Sequence, residues 1–455
     1  MPAEHDPIKP TIHFLYRPKS ITALCLMLAF LVWAAVLRKQ PTLESLTATG
    51  TTSLFIYNAK FGLAAVVLVF LFMSMLLFGN GPFIRPHPLV WRLVLGMSVL
   101  YQLALVFMAF QDKHSARTLF GWLDSTLGKR LPERSYAENC QMCWSNVSKQ
   151  MDAFVIAHTL GWYVKALLFR DTWLCWLLSV AFELAEYALE HQLPNFAECW
   201  WDHWLLDVAI CNALGIWAGM WTCRYLQMKT YCWRGIRELP SLGAKVRRTL
   251  AQFTPHSWKA FEWQAGASLR NYILVVVVCV LVLICELNAF YLKYLLWIPP
   301  EHPINTIRLV LMALFAAPAL RELYRYGREE HQAWSQKAKL GAHAWLMIAN
   351  VLTEAIICVK WSQCEFTDKV APFWVKCMCS GIASLVIGCP LIKFWLFKKP
   401  VREEPSIDRE VSGDEDRHAR RHHHHHYNRD GHSRSRSRSL SKSARMTNRL
   451  KYKGQ

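Results

Sequence analysis

The run Tyr272-Ile273-Leu274-Val275-Val276-Val277-Val278-Cys279-Val280-Leu281-Val282-Leu283-Ile284-Cys285-Glu286-Leu287 decides the fold class. Its first charged residue is Glu286, so the stretch before it belongs in hydrocarbon or deep inside protein. A bilayer core of roughly 30 Å takes about 20 helical residues, fewer where neighbouring protein shields the ends. Working outward, similar blocks stand at 21–37, 62–78, 93–110, 154–169, 173–189 and 204–221 before it, and at 309–320, 345–359 and 377–397 after it. The expected architecture is all-α and polytopic, with about ten transmembrane helices. Eight is the alternative, because the shorter blocks also suit buried helices. Composition agrees: 53% of the 455 residues are hydrophobic and 21 are tryptophan.

Charge sets the orientation. Lys9, Arg17 and Lys19 precede the first block, and no small-residue cleavage site follows it, which reads as a signal anchor. Loops rich in Lys and Arg stay cytosolic. The N-terminal segment 1–20, the loop carrying Arg224, Lys229, Arg234, Arg237, Lys245, Arg247 and Arg248, and the flank Lys398, Lys399 and Arg402 fit that side. The loop 111–153 then faces the lumen, and its sequon Asn146-Val147-Ser148 points the same way. Residues 21–397 form the expected transmembrane domain. Residues 398–455, with a His422–His426 run and Ser-Arg repeats, are too poor in apolar residues to order and read as a disordered basic cytosolic tail. The net charge of +19 is therefore orientation and tail, not a nucleic-acid footprint. Of the 15 cysteines only Cys140 and Cys143 form a CxxC, with no second pair at zinc-ribbon spacing.

Chemistry concentrates between His158 and Asn212. Glu183 and Glu186 share one helical face. Glu190 follows one turn on, Pro194-Asn195 breaks the chain, and Glu198 and Asp202 stand four apart where the sixth block begins. Asp207 and Asn212 continue into that block. The fourth block begins on the side where the fifth ends, so His158, Glu186, Glu198 and Asp202 share one depth. A carboxylate in hydrocarbon is costly unless paired or bound to a cation. No Lys or Arg stands between Asp171 and Ala218 to serve. Oxygen ligands with one nearby histidine favour Ca²⁺ or Mg²⁺ over zinc. Metal-assisted chemistry on a lipid head group follows, with an ion-coupled transporter as the rival. No second copy of the 183–212 pattern supports a transporter's internal repeat, and a non-catalytic lipid scaffold would not need these acids.

The run Pro194-Asn195-Phe196-Ala197-Glu198-Cys199-Trp200-Trp201-Asp202 resembles the signature of the animal base-exchange phosphatidylserine synthases. So do Arg85-Pro86-His87-Pro88 with Trp91-Arg92, Tyr136-Ala137-Glu138-Asn139-Cys140, and Phe253-Thr254-Pro255. Glu190-His191-Gln192-Leu193 and Trp297-Ile298-Pro299-Pro300-Glu301-His302 look more like the second, ethanolamine-exchanging type. The resemblance spans residues 14–397. It implies a Ca²⁺-dependent enzyme of the endoplasmic reticulum membrane that exchanges L-serine for the head group of phosphatidylethanolamine or phosphatidylcholine. It marks His158, Glu183, Glu186, Asn195, Glu198, Asp202, Asp207 and Asn212 as needed for activity. Glu183, Glu186, Glu198 and Asp202 are expected to hold Ca²⁺. His158 is expected to deprotonate serine or attack phosphorus. Asp207 would orient His158 or bind the serine ammonium, and Asn195 and Asn212 would fix head-group oxygens. The site is expected to face the lumen, with no nucleic-acid partner and self-association as a homodimer left open. No Walker loop and no DG-x2-AR pattern of the CDP-alcohol phosphotransferases is present. Arg85, His87, Arg92 and Arg321 are candidates for lipid binding or regulation, against ordinary positive-inside anchoring or snorkelling. Glu286 and Glu354 stand apart from the cluster and either pair structurally or line a lipid path.

Overall fold

The computed structural model describes residues 18–37, 54–83, 85–130, 137, 140–150, 153–228, 241–251, 261–328, 340–363 and 369–396. Most of the N-terminal segment, the whole C-terminal tail and Phe253-Thr254-Pro255 lie outside them. Every regular element described is helical: α1 Pro18–Val32, α2 Leu54–Leu77, α3 Pro88–Ala109, α4 Lys113–Leu123, α5 Trp144–Gln150, α6 Ala153–Phe169, α7 Thr172–Leu189, α8 Ala213–Met228, α9 Leu242–Ala251, α10 Leu269–Leu296, α11 Pro303–Arg328, α12 Ala342–Ser362 and α13 Phe373–Leu391. A π-helical stretch, Asp202–Asn212, runs directly into α8.

Among the described residues, eight helices are long and apolar enough to cross a membrane: Tyr57–Leu77, Pro88–Ala109, Thr172–Leu189, Asp202–Leu226, Leu269–Leu296, Pro303–Gly327, Ala342–Ser362 and Phe373–Phe394. Ile21–Ala35 and Val155–Phe169 are shorter apolar helices. Thus all ten segments read from the sequence are helical, and eight reach spanning length. The eighth is far longer than its apolar block at 309–320, and before that block it takes in Arg308, which is neutralised by a partner described below.

Helix starts follow local chemistry. Asp112, Asp171 and Ser268 each cap a first turn by accepting the backbone N–H three residues on. His87 accepts the N–H of Leu89 while Pro88 opens α3, where no N–H is needed. The main core lies where α6, α7, α10 and α11 meet, around Trp162, Phe169, Leu178, Val278 and Ala319. Large apolar side chains such as Leu68, Leu103, Val277 and Leu385 face outward. For a chain with these spans that outer surface is the lipid-facing one, not an aggregation hazard.

α6 and α8 approach at backbone distance. Gly215 and Gly219 form a small-xxx-small face on α8. A Cβ at Gly215 would stand 2.7 Å from the Trp162 Cβ, and one at Gly219 would stand 2.8 Å from the Tyr163 carbonyl oxygen. Gly219→Leu should therefore destabilise the fold by about 1–3 kcal/mol through overpacking. Gly161→Leu, on the open face of α6, should cost far less, since nothing lies within 4 Å of its Cβ position. Thermal unfolding of the two variants in one detergent checks the contrast.

The two outlying membrane acids are both paired. Glu286 lies 2.9 Å from Lys165, whose ammonium sits 3.6 Å from the Trp162 ring centroid. Glu354 is fully buried. It accepts from Arg308 Nη2 at 2.6 Å and Nε at 3.0 Å, from Asn288 at 3.3 Å, and from the Tyr101 hydroxyl. This network ties α3, α10, α11 and α12 together.

Candidate active site

The end of α7, the start of α6 and the π-helical stretch build the acidic site. In an α-helix, residues five apart are turned by about 140° from one another. The i→i+5 bonding of a π-helix brings them back toward one face. Asp202, Asp207 and Asn212 are spaced by five, and the stretch from Asp202 to Asn212 is π-helical throughout. The irregular helix thus presents these three side chains as a set. A 3₁₀ turn, Pro194–Phe196, reverses the chain between α7 and this helix. Phe196 and Leu193 anchor the turn by burying against Leu287, Phe290 and Tyr291 of α10.

Glu183 is fully buried and Glu186 nearly so. His203 Nδ1 lies 2.9 Å from Glu183 Oε2 and 3.5 Å from Glu186 Oε2. With Glu183 ionised its oxygens only accept, so Nδ1 carries the proton. Glu183 Oε1 is left buried without a hydrogen-bond partner, as is His203 Nε2. Oxygen and nitrogen ligand atoms of Glu183, Glu186 and His203 all lie within 4.8 Å of one another, and so do those of His158, Glu183 and Asp207. His158 Nδ1 stands 4.0 Å from Asp207 Oδ1, and its Nε2 accepts from the Trp162 indole at 3.3 Å. Asn212 is fully buried and donates to Ser179 Oγ at 2.7 Å. Asp202 is buried beside the group, and Glu198 interacts with the charges of Glu186, Asp207, His203 and Asp202. Neither belongs to the two tight triplets. Asn195 holds the middle of the 3₁₀ turn, and its side chain lies outside the described residues. Glu190 is exposed at the end of α7.

His203 corrects the expectation of a single nearby histidine. It is the counter-charge or donor that the two buried glutamates share. A second long-range link is the disulfide Cys140–Cys199, which fastens the loop after α4 to the residue following Glu198. Cys143 is free and exposed, so the CxxC does not close on itself.

These residues fit a divalent cation. The donor set is dominated by carboxylates, one buried carboxylate oxygen has no partner, and Glu198 is pushed up to about 9, first by burial and then by Glu186 and Asp207. Burial is the larger cause of that rise, and the neighbouring carboxylates add to it.

The basic candidates lie elsewhere. Arg92 donates to Asn80 Oδ1 in the loop before α3 at 2.9 Å and to the Met75 carbonyl near the end of α2 at 3.1 Å. His87 is the α3 cap, and the Arg85 carbonyl accepts from Trp91 at 2.8 Å. Arg321 sits 6.0 Å from the rings of both Phe83 and Phe261, and Arg170 lies 4.4 Å from Phe261. A cationic, aromatic-lined region is therefore built around Phe261, with Arg321 in it, while His87 and Arg92 make the local contacts just described.

A sequence model described as phosphatidyl serine synthase matches residues 86–362. Phosphatidylserine synthase 2 of Danio rerio is 39% identical over 413 residues, covering 89% of this chain and 88% of that protein. Phosphatidylserine synthase 2 of Homo sapiens is 40% identical over 371 residues, covering 80% and 73%. A relative in Arabidopsis thaliana named CDP-diacylglycerol--serine O-phosphatidyltransferase 1 is 38% identical over 402 residues, covering 86% and 92%.

Proposed function

The chain belongs to the phosphatidyl serine synthase family, and on that premise we propose that it is a Ca²⁺-dependent base-exchange enzyme of the endoplasmic reticulum membrane. It is a multi-pass membrane phosphatidyltransferase. The proposal adds the phosphatidyl donor, phosphatidylethanolamine or phosphatidylcholine, the cation and the compartment. The observation that carries it is His158 standing beside a pocket of buried carboxylates with one unpartnered oxygen.

Glu183, Glu186, Glu198 and Asp202 would hold the cation, with His203 orienting Glu183 through its Nδ1–H. Bound there, calcium supplies positive charge against the anion that builds on the phosphoryl oxygens. Asp207 faces His158 Nδ1 at 4.0 Å, and closing that gap would hold a proton there and leave Nε2 as the basic nitrogen. Serine's hydroxyl takes the place of the Trp162 indole at Nε2 and gives up its proton. Its oxygen bonds to phosphorus, the phosphorus–oxygen bond to ethanolamine or choline breaks, and the imidazolium returns the proton to the leaving oxygen. Asn195 and Asn212 fix head-group oxygens. The Cys140–Cys199 bond supports a lumenal site, since disulfides persist in oxidising compartments. On the other side, Arg85, Arg170 and Arg321 would suit the head group of an anionic lipid, a route to feedback by the product.

The Arabidopsis relative's name brings a second donor, CDP-diacylglycerol, into consideration. Incubation with labelled L-serine separates the two. Exchange releases ethanolamine or choline and needs no nucleotide, whereas the other route releases CMP.

Glu198→Gln should weaken both calcium affinity and rate; an unchanged calcium affinity removes it from the ligand set. pH offers a second handle. Without a cation, a carboxyl raised to about 9 keeps its proton longer in the folded chain than in the unfolded one, where the ordinary value is about 4.3. Its contribution to stability is full below the unfolded value and is lost as pH climbs toward the folded one. Calcium binds the ionised form and restores what is lost. The calcium-induced rise in Tm should thus be larger at pH 8 than at pH 6, and Glu198→Gln should flatten that difference.

A further inference from the structure

A cavity of about 420 Å³ lies between α4 and the end of α10, and none of the acidic-cluster residues lines it. His114, Arg117, Thr118, Trp122, Leu127 and Trp297 line it. The Arg117 guanidinium stacks on Trp297 at 3.4 Å from the ring centroid, and its Nε donates to the Leu295 carbonyl at 2.8 Å. Trp297 is held in place by a left-handed backbone, φ 55°, that closes α10. Gly128, at φ 71°, folds the loop back on α4, where a Cβ would collide with the Arg117 carbonyl. The cavity is a built structure rather than a gap.

Its chemistry is that of an anion site. Among the described residues nothing accepts from the two Nη groups of Arg117, and no carboxylate lines the cavity. Burial lowers the guanidinium from its ordinary value, so an anion would relieve a cost already present. Lys60 adds positive charge, 5.3 Å from the Trp122 ring. The nearby acids are spent locally: Asp112 caps α4, and Asp124 accepts from Thr126 and faces His302.

Position narrows the ligand. α3 ends at Ala109 and α4 begins at Lys113, while Leu295 and Trp297 stand at the end of the spanning α10. The cavity therefore sits at the level where spans emerge from hydrocarbon, which is where head-group phosphates and tryptophan belts lie. An apolar wall beside one planar, doubly donating cation matches a phosphodiester with attached acyl glycerol. We propose that this cavity binds the phosphodiester of a phospholipid, a second lipid site distinct from the acidic cluster and independent of the base-exchange reading.

The test uses the full chain in nanodiscs containing a diazirine-bearing phosphatidylethanolamine, with the photolabel located by peptide mass spectrometry. Labelling of the segment 113–128 is expected, and Arg117→Ala should reduce it about tenfold, the worth of a lost charge-assisted bond. Arg117→Gln keeps the stem packed on Trp297 and should lower labelling similarly, which guards against a folding defect in the alanine variant. Label elsewhere in the chain reports the integrity of both variants. Undiminished labelling of 113–128 in a folded variant, or none in the unaltered chain, overturns the proposal. Loss of labelling on adding millimolar inorganic phosphate would assign the same phosphate chemistry to a free anion and overturn the lipid source. Persistence in phosphate supports the lipid.

Discussion

His158→Gln should lower serine incorporation by about 10²–10⁴-fold, the range that loss of a general base produces. Calcium binding and Tm should barely move. The imidazole is partly exposed at the edge of the cluster, where it accepts from Trp162 at 3.3 Å and also meets the Asn212 side chain. Gln can still accept from that indole through its amide oxygen, so packing on α6 persists. What disappears is a nitrogen able to take and return a proton. The check is steady-state exchange, with calcium affinity measured separately on the same preparation. Near-normal turnover in a folded variant would remove His158 from the chemistry.

Arg308→Met should produce the largest loss of stability, about 3–5 kcal/mol, because it strands a buried carboxylate. Glu354 has no solvent access and depends on Arg308 for two of its bonds. Asn288 and Tyr101 remain as donors but carry no charge. The double variant Arg308→Met with Glu354→Met removes both ions and keeps apolar volume, so most of the loss should be regained. Thermal unfolding of the three proteins in one detergent decides it. Equal loss in single and double variants would mean that bulk at these positions, not the stranded charge, sets the cost.

The spans were legible because hydrocarbon demands long apolar runs, and each of the ten blocks is helical. Length was less legible where charge interrupts: Arg308 hid the first part of α11, because its neutralisation by Glu354 comes from a helix 46 residues away. Spacing and depth anticipated the grouping of His158, Glu183, Glu186 and Asp207 that the structure shows. His203 could not be read that way, although one signal was present. The absence of Lys and Arg from 171 to 218 calls for another cation, and histidine is the remaining side chain able to supply it. The π-helical register was invisible, since hydrogen-bond period leaves no mark in apolar composition. Read as an α-helix, Asp202, Asp207 and Asn212 scatter over different faces. The pairing of Cys140 with Cys199 was hidden by a separation of 59 residues. His87 and Arg92 were read as part of a basic cluster because charge is visible in sequence and capping partners are not.

The most direct measurement is head-group release by purified chain in phosphatidylethanolamine or phosphatidylcholine micelles, with labelled L-serine, in calcium or in chelator. Labelled phosphatidylserine is expected in calcium alone, with one ethanolamine or choline freed for each serine taken up and no nucleotide required. Labelling that persists in chelator, or that appears only with CDP-diacylglycerol and releases CMP, would contradict calcium-dependent base exchange.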